Sequence, residues 1–190
     1  MIEIKNLNKS FGDKEILKNF NLSIKEGERL AIFGKSGIGK STLLKIIEGL
    51  CPYDSGEIIF AKPPIFKTVF QENILFEDMS LYENILAVGE FSRKQVLEHL
   101  KALDMEGEID RPVREISGGM KRRLAIIRAI IFPGNIFVMD EGLREVDEKT
   151  KAFIIEYIND NTKNLTVIFT SHNRNDIKAL RADRVLELGG

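Results

Sequence analysis

The chain has little of several things, and each shortage excludes something. Among its 190 residues there is one cysteine, Cys51, and there are two histidines, His99 and His172. A single thiol excludes an intramolecular disulfide and fits a reducing compartment. Cys51 lies beside Pro52 and reads as an ordinary half-buried residue. His99 falls within a helical stretch with no second His, Cys or acidic cluster at metal-ligand spacing, so it reads as a surface or boundary residue. No apolar run approaches the roughly 18 residues of a membrane span, and the first residues lack a signal peptide's apolar core. The expectation is a soluble, intracellular chain. Nor is there an excess of either charge, with 28 Lys+Arg against 29 Asp+Glu. That balance gives no global field to attract nucleic acid or anionic lipid, and no nucleic-acid partner is expected. Internal repeats and low-complexity segments are also lacking. A chain of this length suits one domain, 1–190, with room for a small inserted subdomain and a substantial core.

What is present is a glycine-rich stretch, Gly34-Lys35-Ser36-Gly37-Ile38-Gly39-Lys40-Ser41-Thr42. A Gly, four residues and then Gly-Lys-Ser is the pattern of a phosphate-binding loop. Before it, Arg29-Leu30-Ala31-Ile32-Phe33 reads as a buried strand; after it, Leu43, Leu44, Ile46, Ile47 and Leu50 recur at helical spacing. Strand, glycine loop and helix together let successive N–H groups face one anion, to which the helix N-terminus adds its partial positive charge. Lys40 is then placed for the β/γ-phosphates and the Ser41 hydroxyl for Mg²⁺. The bland alternative is a glycine-rich turn with no ligand, and the flanking strand and helix argue against it.

Elsewhere, Ile2 and Ile4, then Leu22 and Ile24, alternate with polar neighbours as two half-buried strands do. Asn8, Ser10, Gly12 and Asp13 supply turn chemistry around Phe11, and Pro52, Asp54, Ser55 and Gly56 break the chain after the loop helix. Ile58–Phe60 and Thr68–Phe70 read as short strands separated by Pro63-Pro64. From Ser80 to about Leu103 the texture is helical, with Ser92 as a cap. Ser117-Gly118-Gly119 opens another helix that Pro133-Gly134 ends. Ile136–Met139 reads as a central strand delivering Asp140-Glu141 to its C-terminal edge. A helix through Phe153, Ile154 and Ile158, a strand Leu165–Thr170, a short helix near Ile177–Leu180 and a last strand Val185–Leu188 follow. Alternating strands and helices predict an α/β fold with a largely parallel sheet and ligand at its C-terminal edge.

Four further features make the chain resemble the ATP-binding subunits of ABC transporters from end to end. Ile116-Ser117-Gly118-Gly119-Met120-Lys121-Arg122-Arg123 is similar to the family's signature sequence, whose logic is anion binding at a helix N-terminus. Asp140-Glu141 resembles the Walker B pair, Gln71 the Q-loop and Ser171-His172 the switch histidine. Taken alone, each is weak: Ser-Gly-Gly also makes a plain N-cap, paired carboxylates cap helices, and a lone Gln or His is usually structural. The resemblance implies a P-loop NTPase fold with an N-terminal antiparallel β subdomain and a helical subdomain inserted at about 72–114. It further implies that Phe11 stacks on adenine, that Gly34 to Thr42 bind phosphate, and that Ser41, Gln71 and Asp140 attend Mg²⁺. Glu141 is then the general base, His172 and Gln71 assist it, and Ser117, Gly118 and Gly119 face the ATP of a second copy or paralogue. Asp147 ends the segment that crosses to that partner. The region from Gln71 to Ile85 lines a groove for a membrane permease, although Leu75 and Phe76 are equally open to plain core packing.

The implied activity is ATP hydrolysis powering a separate permease, from a cytoplasmic position peripheral to the inner face of the membrane. The alternatives are an ATP-gated dimerisation module with little turnover and a soluble ABC ATPase without transport. The chain departs from the family pattern at Met120, where Gln is usual, and at Gly142, where Pro is usual and Gly frees the backbone. It also departs along Leu143-Arg144-Glu145-Val146, where Arg144 is expected either to clash at the dimer interface or to make a cross-subunit contact. The short hairpin region, compact insertion and absence of a regulatory tail fit small bacterial importer ATPases, and the Ser-Gly-Gly-Met spelling leans towards the nitrate/sulfonate/taurine type.

Overall fold

The computed structural model describes residues 1–144 and 146–189. Two sheets organise it. A parallel sheet of five strands is built from β3 (Arg29–Phe33), β5 (Phe66–Val69), β6 (Ile136–Met139), β7 (Thr166–Ser171) and β8 (Arg184–Glu187), in the order β5-β6-β7-β3-β8. An antiparallel sheet of three strands holds β1 (Ile2–Phe11), β2 (Lys14–Ile24) and β4 (Ser55–Phe60), with β1 in the middle. The helices are α1 (Lys40–Ile47), α2 (Leu81–Leu86), α3 (Arg93–Ala102), α4 (Gly118–Ile131), α5 (Glu148–Asn161) and α6 (Arg174–Ala179). This is the α/β P-loop architecture with an antiparallel sheet at its N-terminal side.

The central strands of the parallel sheet are covered on both faces, which is why β6 and the Val167–Phe169 centre of β7 are continuous apolar runs rather than alternating ones. Leu30, Ile32, Val138 and Ile168 point to one face and pack with Ile2, Ile4, Leu7, Ile24 and the α1 residues Leu43, Leu44 and Ile47. Ala31, Phe137, Met139, Val167 and Phe169 point to the other, against Leu124, Ile127, Ile154 and Ile158. The alternation along each strand thus divides the interior into two cores.

The hairpin is longer than its sequence pattern predicts. Ile2 pairs with Ile24 and Phe11 with Lys14, so Asn8 and Ser10 lie within β1 and the turn narrows to Gly12-Asp13. Register shifts at three points along β1, with Asn6 and Asn19 in left-handed conformation (φ 49° and 43°), break the period of two that would have shown a continuous strand. The Asn21 carboxamide oxygen accepts from the Asn6 N–H at 2.9 Å, and that of Asn8 from the Asn19 N–H at 2.8 Å. The segments around Pro63-Pro64 do both form strands, but they part company. β4 pairs Phe60 with Ile2, whereas β5 pairs Phe66 with Ile136, and Phe70 falls just beyond it.

The helical stretch from Ser80 divides into α2 and α3, each opened by a capping box, Ser80/Glu83 and Ser92/Gln95. Asn84 is fully buried. Its carboxamide accepts from the Phe76 N–H and donates to the Phe76 and Ser80 carbonyls at 2.9–3.0 Å, which fixes the loop ahead of α2. His99, half-buried on α3, meets the Tyr157 hydroxyl of α5 through Nδ1 at 2.7 Å, so it is a boundary residue with a specific contact.

Candidate functional site

Four neighbouring strands of the parallel sheet each end in one of the sequence-predicted groups. The glycine loop follows β3, Gln71 follows β5, Asp140-Glu141 follows β6, and His172 follows β7. The parallel arrangement puts all four ends on one edge.

The loop itself is shaped by glycine where nothing else fits. Gly39 caps α1 at φ 114°, and a Cβ there would meet Ile16 Cγ2 at 2.5 Å. Gly37 is also left-handed, at φ 76°. A Cβ at Gly34 would lie 3.0 Å from the Leu188 carbonyl and 3.1 Å from the Ile38 side chain. Lys35 and Ser36 lie exposed at the loop's crest, while Ser41 and Thr42 are half-buried in the first turn of α1. Lys40 is 4% exposed; its Nζ donates to the carbonyls of Gly34 at 2.9 Å and Lys35 at 3.0 Å. It also stands 3.4 Å from Glu141 Oε1. The ammonium therefore bridges the loop and the carboxylate pair.

Asp140 is buried, and its Oδ1 accepts from the Thr170 hydroxyl at 2.7 Å. The same hydroxyl oxygen accepts from the Glu141 N–H at 2.8 Å, tying β6 to β7 directly beneath the site. Glu141 has φ 45°, a left-handed conformation that costs a non-glycine residue free energy and persists only where surroundings hold it. Gly142 is not in that region. It is needed for space, since a Cβ would meet Met139 Cγ and Sδ at 2.2 Å. The expectation that glycine frees the backbone there is corrected: the unusual conformation belongs to Glu141, and Gly142 is a close-packing site.

Arg144 turns towards its own chain, with Nη1 3.6 Å from Glu141 Oε2. Glu141 is therefore flanked by Lys40 on one oxygen and Arg144 on the other. Glu145 lies outside the described residues. Asp147 accepts from the Thr150 N–H at 3.0 Å and caps α5; the Thr150 side chain first, and then this N–H, hold its carboxyl below the ordinary range. His172 lines a small cavity of about 130 Å³ with Glu141, Leu143, Arg144 and Thr170.

A second, more open cavity of about 300 Å³ gathers Gln71, Asn73, Gly118, Gly119, Arg122 and Arg144. Here Ser117 caps α4, its Oγ accepting from the Met120 N–H at 3.3 Å. A Cβ on Gly118 or Gly119 would meet nothing within 4 Å. Phe11 stands apart from both cavities, exposed at the hairpin end with Lys9 Nζ 4.6 Å from its ring centre. The contact of Ile16 with Gly39 brings that end of the hairpin beside the loop.

Two residues escaped the sequence reading. Thr170 is one, because a hydroxyl at the end of an apolar strand carries no signal of its own. Arg122 is the other. It is 5% exposed, with Nε donating to the Gly142 carbonyl at 2.8 Å and Nη1 to the Phe70 carbonyl at 2.6 Å. Nη1 also donates to Asn73 Oδ1 at 3.1 Å and Nη2 to the Glu141 carbonyl at 3.2 Å. A signal existed: Arg122 precedes Ile126 and Ile130 at four-residue steps, on the buried face of α4.

Among the described residues no group of three or more His, Cys, Asp and Glu side chains forms a metal cage. The Ser41 hydroxyl, Asp140 carboxylate and Gln71 amide are hard oxygen donors. They fit Mg²⁺ shared with phosphate oxygens rather than a softer metal held by protein alone.

A left-handed glycine loop closing on a buried lysine, opposite a carboxylate pair at the next strands' ends, defines a P-loop nucleotide-binding protein. Comparison with known proteins narrows that class. Residues 17–144 match the ABC transporter family, and the chain belongs to it. It is 33% identical to the spermidine/putrescine import ATP-binding protein of Pasteurella multocida, over 99% of this chain and 55% of that protein. It is 34% identical to the protein of the same name in Aggregatibacter actinomycetemcomitans, with the same coverage. The chain thus spans about half the length of the curated relatives it matches. Among solved structures it resembles the ATP-binding cassette MJ0796 in a dimeric post-hydrolysis state with ADP and Pi, with TM-score 0.86 and 29% identity over 99% of this chain and 94% of that one. The same cassette in another dimeric structure gives TM-score 0.87.

Proposed function

We propose that the chain is an ATP-hydrolysing subunit that dimerises around MgATP and powers a separate membrane permease. The observation that carries this reading is the junction of Lys40 with Glu141 at 3.4 Å, backed by the Asp140–Thr170–Glu141 hydrogen bonds. Loop N–H groups and Lys40 bind the β/γ-phosphates, while Phe11 takes the adenine. Ser41, Asp140 and Gln71 hold Mg²⁺, which supplies charge neutralisation on the phosphate oxygens. Glu141 orients the attacking water and accepts its proton, and His172 hydrogen-bonds the γ-phosphate. Catalysis of this kind is mostly positioning and fixed charge.

Open space in front of Gly118 and Gly119 supports a second copy or paralogue whose nucleotide completes the cavity, as does the likeness to a dimeric cassette. The exposure of Ile74 (56%), Phe76 (52%) and Met79, and of Leu86 just after them, supports docking of the permease on the Gln71–Ile85 segment. No helix among the described residues is long and apolar enough to cross a membrane. In this reading the subunit sits at the inner face of the membrane. The signature spelling leans towards nitrate/sulfonate/taurine importers, whereas the relatives at 33–34% identity are named for spermidine/putrescine import. Import is what the two have in common, and it is the direction adopted.

The test is phosphate release with MgATP over a protein concentration series, beside Glu141→Gln. Specific activity that rises with concentration and falls by about 100-fold or more in the variant is expected. Turnover at the wild-type rate in Glu141→Gln removes Glu141 as the base.

A further inference from the structure

We propose that Arg122 is a positioning residue for hydrolysis, one guanidinium through which the Gln71 segment sets the place of Glu141. The inference rests on the reading of Glu141 as the base. Three segments that the sequence offered as separate motifs meet on this side chain: α4 carries it, Phe70 and Asn73 flank Gln71, and Glu141 and Gly142 form the turn after β6. Nε, Nη1 and Nη2 all donate, and among the described residues they reach the backbone carbonyls of Phe70, Glu141 and Gly142. These bonds tie the side chain to the course of the chain.

The geometry requires arginine. A planar guanidinium sends donors in several directions from one rigid fork, whereas a lysine ammonium is a single point on a flexible stem. The strain at Glu141 explains what the anchoring does. A glutamate at φ 45° returns to an ordinary conformation unless both of its peptide groups are held. Its N–H is held by the Thr170 hydroxyl, and its carbonyl accepts from Arg122 Nη2 and from the Arg144 N–H at 3.1 Å. On the other side, Nη1 fixes the residue immediately before Gln71. A displacement of the segment carrying Ile74 and Phe76 therefore reaches the Glu141 peptide through one buried group, without passing through the sheet.

Phosphate release and nucleotide affinity are measured for wild type, Arg122→Lys, Arg122→Gln and Asn73→Ala. Both Arg122 variants lose about 10- to 100-fold in kcat, while KM and affinity for a fluorescent ATP analogue stay within about twofold. Asn73→Ala, which removes one anchor and leaves the buried cation, loses a few-fold. Adding Gln71→Ala to Arg122→Lys costs much less than it does in wild type, because the two act in series. Arg122→Lys at the wild-type rate, or full additivity with Gln71→Ala, overturns the proposal. Equal losses of kcat and affinity would show a merely structural residue and overturn it as well. Amide hydrogen exchange supplies an arm independent of turnover: exchange in the Arg122 variants rises together at 70–76 and 141–144 and not across β3 or β7. A uniform rise refutes the coupling. If Glu141→Gln keeps wild-type turnover while exchange still couples the two segments, it is the assignment of the base that fails and not the linkage.

Discussion

Two helix N-termini in this molecule have nearly the same composition and opposite surroundings. At the start of α1, the glycines are there because the chain crowds them: Gly39 is pressed by Ile16, Gly34 by Leu188 and Ile38, and Lys40 is held by loop carbonyls. At the start of α4, Gly118 and Gly119 face open space and only Ser117 caps the turn. The first is complete within one chain. The second has the donors of an anion site and nothing of its own to put there. The pair of them fits the site shared between two subunits that is proposed above.

That contrast can be broken or sharpened by adding single methyl groups. Gly39→Ala has the largest expected effect on folding. The left-handed φ and the 2.5 Å approach to Ile16 together make it destabilising by about 2–4 kcal/mol in chemical denaturation, with loss of nucleotide binding. An unchanged midpoint would show the loop to be far more yielding than its packing implies. Gly118→Ala reverses the pattern. It is neutral or stabilising by up to about 1 kcal/mol, because it adds helix propensity in open space. On the proposed reading, phosphate release at dimerising concentrations nevertheless falls about tenfold, since the methyl would stand in the path proposed for the partner's phosphate. A Gly118→Ala chain that is both stable and fully active would mean that α4 offers its N-terminus to nothing.

The smallest expected effect lies beneath the α1 side. Glu48, at the end of α1, hydrogen-bonds Thr68; burial, reinforced by the charge of Asp140, raises its carboxyl above the ordinary range. Folded Glu48 therefore holds its proton more tightly than unfolded Glu48. Its contribution to stability is full below the unfolded pKa and is lost as pH rises through the raised folded value. Glu48→Gln should melt above wild type at pH 8, with the gap closing near pH 4. A gap that is constant with pH would remove ionisation as its cause.

Most of the sheet edge was legible from sequence because the glycine loop, Asp140-Glu141 and His172 follow strands with a buried apolar run, whereas Gln71 follows Phe66-Lys67-Thr68-Val69 and rested on the family resemblance alone. Ile136–Met139 and its Asp140-Glu141 are the clearest case. The hairpin was legible only at its ends, since Asn6 and Asn19 interrupt the alternation between them. Arg122 stands in a run of three cations, Lys121-Arg122-Arg123, and only the turn of the helix separates the buried member from the others. The orientation of Arg144 towards Glu141, and the close approach of position 142 to the Met139 side chain, depend on the path of one tight turn, which no spacing of residue types encodes.

The order β5-β6-β7-β3 also makes the sheet a ruler. Hydrogen-bonded strands lie about 4.8 Å apart, so Gln71, Glu141, His172 and the glycine loop are set at multiples of that interval, roughly 14 Å from first to last. Insertions in the connecting helices leave those intervals untouched, whereas a one-residue slip within any of the four strands turns its motif to the opposite face. The chain can thus tolerate trimming and divergence over most of its length while the spacing of its strand ends is kept by the backbone hydrogen bonds of the sheet.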